Sequence, residues 1–323
     1  MKLILISTLL FVTSFGFAQN KVLSVSFLKN DGSYVDIKDS ADYFRAVTEP
    51  DSGSNLYNIT EVYKDGKKKL IGKSLAAYPQ RYEGQVVSFY KNGVKESITT
   101  YKNGMQVGAK YEFYTNGKTY RVTEFPDNND PFNELNNNYL IEANYDSLGT
   151  PSVENGNGYY KGYNRNFNAI DEEGPIKNGK KDSLWRGTFN KGKCTFNETY
   201  KDGALVSGTA TFEDGGNATY TKLREVPPQF KGGVEAFYQY LGANIRYPGE
   251  ARLNKVEGRV VLTFVVERDG KVTDVVVKTS VSPDIDAEAS RVISNCPNWI
   301  PGRQFGRNVR VSYSVPVSFT LGN

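Results

Sequence analysis

The chain of 323 residues contains no histidine and only two cysteines, Cys194 and Cys296, which narrows its chemistry before any motif is sought. Without histidine there is no Ser–His or Cys–His nucleophile pair, no ordinary general base near neutral pH and none of the commonest metal ligand. The cysteines stand 102 residues apart (194 to 296), which fits neither a zinc motif nor a disulfide framework, so they read as two independent buried thiols. Carboxylate pairs remain: Asp269 with Asp274, and Glu172 with Glu173. Acid–base work needs such groups to face each other across a cleft, and acids at turns and strand ends are usually just solvated. No catalytic residue, metal ligand or cofactor is assigned. The expectation is a protein that is not an enzyme and takes no small-molecule substrate.

The chemistry left to the chain is that of its backbone, and it is most legible in the last stretch, Val309 to Leu321. Odd positions Val309, Val311, Tyr313, Val315, Val317, Phe319 and Leu321 are apolar, whereas Arg310, Ser312, Ser314, Ser318 and Thr320 are polar. A strict period of two predicts a half-buried strand. The remaining even position is Pro316, which has no N–H to give a ladder and is tolerated mainly where that N–H would face open space. In an extended chain the backbone groups of even residues point to one side and those of odd residues to the other. The run therefore predicts an edge strand that bonds inward through its odd residues. Arg310, Ser312, Ser314, Pro316, Ser318 and Thr320 then line the outer side, where an extended peptide or a second copy of the chain would pair.

The elements that must position this strand precede it. Past a break at Val226-Pro227-Pro228 the spacing of Val234, Phe237, Tyr238 and Leu241 predicts a helix, and Tyr247-Pro248 opens a second, short one over 248–253. A strand over 258–267 follows, with Val260, Leu262, Phe264 and Val266 on one face, then a turn at Arg268-Asp269-Gly270-Lys271 and a returning strand over 272–279. Ile285, Ala289, Val292, Ile293 and Cys296 define a third helix over 284–295, ended by Pro297 and Pro301. The order predicts a three-stranded antiparallel sheet with helices on its apolar face, and Trp299 reads as a plug in the core beneath it.

Upstream the pattern is different. Aromatic-x-(Asn/Asp/Lys)-Gly recurs at Tyr63–Gly66, Tyr90–Gly93, Tyr101–Gly104, Tyr114–Gly117, Phe189–Gly192, Tyr200–Gly203 and Phe212–Gly215. The closing glycines are spaced by 11 (93 to 104), 13 (104 to 117), 11 (192 to 203) and 12 (203 to 215) residues. One strand and one tight turn fit each interval, and the flanking rings pack across the ladder. Residues 126–158, rich in Asn, Asp, Pro and Gly, read as a long loop or a degenerate repeat. Before the array, 22–29 and 33–37 read as a hairpin about Asn30-Asp31-Gly32, and 39–47 as a short helix. Rows of tyrosine and lysine suit cross-strand packing better than glycan or nucleic-acid binding, and a formal charge of +4 does not suggest a nucleic-acid partner. At the start, Lys2 and an apolar run from Leu3 to Ala18 ending Gly16-Phe17-Ala18 predict a signal peptide cleaved after Ala18 and a periplasmic protein. Retained, the same run would anchor the chain in the inner membrane.

Two resemblances add to this reading. The repeats over 57–222, with Lys177 to Trp185 among the better copies, resemble MORN-type repeats, which implies an interaction scaffold without catalytic residues. Further on, Tyr247-Pro248 with Ala251, Glu257-Gly258-Arg259-Val260, Phe264-Val265-Val266 with Asp269-Gly270, Ile285-Asp286 with Ala289, Trp299 with Pro301-Gly302, and Val315-Pro316-Val317 with Phe319 resemble the C-terminal domain of TonB proteins. Pro228 to Gly233 and the upstream repeats look like the Bacteroidota variants of that family. The resemblance implies a domain that grips the box peptide of a TonB-dependent outer-membrane transporter beside the final strand, at the positions already inferred. It further implies that Asn244, Ile245 and Arg246, just before Tyr247-Pro248, touch the transporter. A full energy transducer of that family has an uncleaved membrane helix and a long Pro-rich spacer, which this chain departs from. The expected fold class is mainly β with an α+β C-terminal domain: leader 1–18, β segment 19–56, β-hairpin repeat sheet 57–222 and TonB-like domain 223–323. The alternative function is a periplasmic repeat scaffold that forms a homodimer through the same edge strand and does not transduce energy.

Overall fold

The computed structural model describes residues 20–127 and 139–321, and the chain divides into two compact units, one ending at Gly158 and the other starting at Tyr159. The expected leader lies outside the described residues. Among those described, no helix is long and apolar enough to cross a membrane.

The first unit is an antiparallel meander. Val22–Leu28, Tyr43–Thr48, Tyr57–Tyr63, Lys68–Ser74, Tyr82–Phe89, Lys95–Lys102, Gly108–Phe113, Thr119–Phe125, Leu140–Tyr145 and Pro151–Glu154 each pair with the next. Its regularity comes from the repeated turn. In each of three copies the glycine N–H returns to the tyrosine carbonyl, Gly66 to Tyr63, Gly93 to Tyr90 and Gly117 to Tyr114, all at 2.9 Å. These glycines lie at φ +82, +88 and +84, in the left-handed region that a side chain disfavours. The tyrosines then staple one turn to the next on the same rim. Tyr63 Oη donates to Phe89 O at 2.8 Å, Tyr90 Oη to Phe113 O at 2.7 Å and Tyr114 Oη to Tyr145 O at 2.7 Å. The turn of Gly104 lies at the other end of the strands, where its N–H donates to Tyr82 O at 2.9 Å. The structural unit on one rim is thus a whole hairpin, and the 11-to-13-residue interval is half of it.

Two local expectations are corrected. The segment predicted as a helix over 39–47 is a single 3-10 turn, Lys38–Ser40, followed by the strand Tyr43–Thr48. That strand takes the ladder of Val22–Leu28, so the expected return arm over 33–37 is shortened to the turn about Asn30-Asp31-Gly32, the bridge Leu28↔Tyr34 and the hydrogen bond from Val35 N–H to Phe27 O at 3.0 Å. Ladder hydrogen bonds and the burial of Tyr43 and Val47 outweigh local helix propensity there. Of the 126–158 segment, residues 139–158 form strands about a Tyr145-to-Gly149 turn, which is the degenerate-repeat alternative. Residues 128–138 lie outside the described part.

The second unit joins a repeat sheet to an α/β part, so the change of pattern at 226–228 falls inside it. Ile170–Lys177, Ser183–Phe189, Cys194–Lys201, Ala204–Thr211 and Asn217–Tyr220 pair antiparallel in succession. On the packed face a ring lies over a glycine of the neighbouring strand: Trp185 over Gly174, Phe196 over Gly187 and Tyr220 over Gly208, each so close that a Cβ would collide. That covering lets large rings pack on a thin sheet and shields the glycine backbone.

In the α/β part the strand Gly258–Val266 is central, with Val272–Thr279 on one side and Val311–Phe319 on the other. Helices α1 (Gly233–Asn244), α2 (Gly249–Leu253) and α3 (Pro283–Ser294) cover its apolar face. Ser282 caps α3, its Oγ accepting from Ile285 N–H at 3.4 Å, with Pro283 in the first turn. Of the side chains named from periodicity Phe237, Leu241, Leu262, Phe264, Ile285 and Ile293 are buried, whereas Val234 and Tyr238 of the first helix are more than half exposed. Trp299 is the expected plug, with Phe230, Phe237, Phe264 and Tyr313 centred 5.2–5.7 Å from it. The thiols are free, Cys194 buried and Cys296 half-buried, and Trp299 Nε1 donates to Cys296 Sγ at 3.4 Å.

Candidate functional site

The final strand runs over Val311–Phe319, two residues shorter at each end than its sequence pattern. It is in register with the central strand over its whole length, from Val311↔Val266 to Phe319↔Gly258. The sheet order places it at the rim, and among the described residues no strand pairs with its other side. Val315, Val317 and Phe319 are buried, Val311 and Tyr313 half-buried, and Ser312, Ser314, Pro316 and Ser318 exposed. Pro316 stands opposite Val261.

The two flanking candidates differ from the middle four. Arg310 and Thr320 are exposed but fall just outside the strand. Arg310 Nε donates to Glu267 at 2.8 Å and its Nη2 to Asp274, so its guanidinium ties together the two neighbouring strands instead of projecting free. The hydrogen bond from Arg310 holds the Glu267 carboxyl below the usual carboxylate range, with Thr273 adding to it. Of the carboxylates weighed from sequence, Asp274 is thus an ion-pair partner, Asp269 pairs with Lys271 at 3.0 Å, and Glu173 pairs with Arg186 at 2.7 Å. Among the described residues no cluster of acids, thiols or histidines could hold a metal ion.

Asn244 ends α1, and Ile245 and Arg246 follow it in the turn that leads to Tyr247-Pro248. This segment is pinned to α3: Arg291 donates to Asn244 O at 2.8 Å, and Arg246 N–H donates to Glu288 at 2.6 Å. Ile245 is half-buried against the core, and the Asn244 and Arg246 side chains are exposed. Tyr247, next in the chain, sets its ring edge-on to Phe319 at 5.8 Å. The segment and the end of the rim strand are therefore linked through one ring pair.

Sequence reasoning missed the hairpin that leads into the final strand. Arg303–Gln304 pairs with Arg307–Asn308 on one side and with Glu225–Val226 on the other, and Phe305 at its tip is buried. The signal available was a lone Phe-Gly between two prolines and the strand, which by itself reads as a loop.

A three-stranded antiparallel sheet with helices on one face and a rim strand carrying a proline defines an α+β domain. Residues 243–321 match the family model described as Gram-negative bacterial TonB protein C-terminal. Two solution structures of the Helicobacter pylori TonB C-terminal domain are similar to this chain. One is 20% identical, with 28% of this chain and 81% of that chain covered at a TM-score of 0.23. The other is 21% identical, with 27% of this chain and 91% of that one covered at a TM-score of 0.22. No curated protein matches.

Proposed function

We propose that the chain is a non-enzymatic TonB-like protein serving TonB-dependent transport, whose α/β part grips an extended segment, the box peptide of an outer-membrane transporter, by strand addition beside Val311–Phe319. The observation that carries this reading is the rim position of a strand with Pro316 facing Val261. Proline has no N–H for its neighbour, so even residues are those whose backbone groups turn outward. Ser312, Ser314, Pro316 and Ser318 would then meet the guest, with Arg310 and Thr320 at its ends and Asn244, Ile245 and Arg246 touching the transporter beyond it. Export to the periplasm through a leader at 1–18, and repeats of MORN type acting as a scaffold, belong to the same reading.

Four or five ladder hydrogen bonds at about 1 kcal/mol each are nearly cancelled by ordering a similar number of peptide residues at about 1–2 kcal/mol apiece. Side-chain contacts must supply the surplus, and binding is weak and reversible. Titrating the full chain with synthetic box peptides while recording amide shifts tests it: shifts confined to the final strand and its flanks support the reading, and none there sinks it. Self-pairing of the same rim predicts instead a concentration-dependent dimer in sedimentation that Ser314→Pro abolishes.

A further inference from the structure

In the second unit the hairpin preceding the final strand is driven into the repeat sheet. Phe305 at its tip is 6% exposed although its φ of +48 puts an aromatic residue in the left-handed region, a conformation that persists only where surroundings enforce it. Its ring stacks on Phe189 at 4.0 Å and 15°, and meets Phe196 and Tyr220 at 5.6 Å. Next to it Gly306 lies against Thr219 O, too close to admit a Cβ.

Charge secures the plug on both sides. Phe305 N–H donates to Arg224 O at 2.6 Å, and the Arg224 guanidinium lies 4.4 Å over the Phe196 ring. The same guanidinium donates to Glu198, a carboxylate 1% exposed, and to Glu172 at 3.1 Å. On the outer side Arg307 pairs with Asp214 and covers Phe212 at 4.7 Å. Val309 N–H then donates to Gly302 O at 2.8 Å, closing the base of the hairpin two residues before the final strand.

We infer that the hairpin Arg303–Asn308 is a latch that joins the repeat sheet over 170–220 and the α/β part into one cooperative body, with Phe305 as the positioning residue that fixes how the final strand is presented to a partner. A flexible tether between the two parts would leave a tip aromatic in water and a buried Glu198 without its arginine, and neither is found. The latch stands whether or not a peptide binds the rim strand.

Hydrogen exchange on the full chain tests it. With the latch intact, the slowest amides of Cys194–Lys201 and of Gly258–Val266 open together and share one protection factor. Phe305→Ala is expected to separate the two by roughly tenfold or more, while Phe305→Leu, which keeps an apolar plug, leaves them nearly equal. Trypsin cleavage after Lys222 and Lys231 should accelerate in parallel. Should Phe305→Ala not fold, Arg307→Ala, which removes the Asp214 pair and the cover over Phe212 while leaving Phe305 in place, carries the same comparison. Unequal protection in the unmodified chain, or equal protection in the folded variant, overturns the inference.

Discussion

Tyr63, Tyr90 and Tyr114 carry the aromatic position of the repeat, and their hydroxyls explain why tyrosine stands there: each donates to a carbonyl in the next hairpin on the same rim. Tyr90→Phe keeps the ring and deletes one such bond, so chemical denaturation should register a loss of about 1 kcal/mol. Glu198 is the opposite case, a carboxylate enclosed by Arg224, Tyr200 and Tyr220. Glu198→Gln leaves the half-buried Arg224 guanidinium with only Glu172 as a carboxylate partner, and the same measurement should show a loss of about 3 kcal/mol at most, the lower end for breaking a buried pair. At the surface, the Arg307 hydrogen bond lowers the Asp214 carboxyl from 3.8 to about 2. A folded-state value below the unfolded one means that the pair's contribution is present above the ordinary aspartate range and lost as pH falls through about 2. A carboxyl NMR titration should find that midpoint, and Arg307→Ala should return it toward 3.8. None of these partners was legible in the sequence, because Arg224 and Glu198 are 26 residues apart and Arg307 and Asp214 are 93 apart, with nothing in either neighbourhood to name the other.

At the scale of elements the three helices and the three long strands of the α/β part were legible, since each has its own period and its own stop, whereas the hairpin Arg303–Asn308 was not. Val272–Thr279 has the predicted bounds, and α3 is displaced by one residue at each end. The rim strand makes the direction of its backbone groups testable by proline. Ser314→Pro places a second ring at an outward position and should leave the folded domain within about 1 kcal/mol of the original while abolishing peptide shifts. Val315→Pro removes an inward ladder bond and should cost about 3 kcal/mol or more. Thermal unfolding of the two variants separates them, and equal losses would mean that the outward positions have been assigned to the wrong parity. The segment 39–47 was misread for a related reason: its propensities admit a helix, and the ladders with Val22–Leu28 and Tyr57–Tyr63 on either side make it a strand.

For the whole molecule the second unit has the more specific consequence, because its α/β part does not end where the TonB-type pattern begins. A fragment over 223–323 would expose Phe305 and strip Arg224 of both carboxylates. It should melt below a fragment over 159–323 by an amount corresponding to about 2–3 kcal/mol for the ring alone. Circular dichroism melts of the two fragments check this, and identical midpoints would show that the repeats add nothing to the domain.

The sequence by itself determined the periods: a half-buried strand ending the chain, three amphipathic helices, aromatic turns closed by glycine, and the absence of any histidine-based chemistry. Those properties depend on residues a few positions apart, where side-chain direction follows from backbone geometry alone. Only the tertiary structure decided which turns share a rim, that the last strand has one neighbour among the described residues, and that Phe305 packs against Phe189, Phe196 and Tyr220 of the repeat sheet. Such pairings are set by burial and charge between segments far apart in the chain, and their energies exist only once the chain has closed on itself.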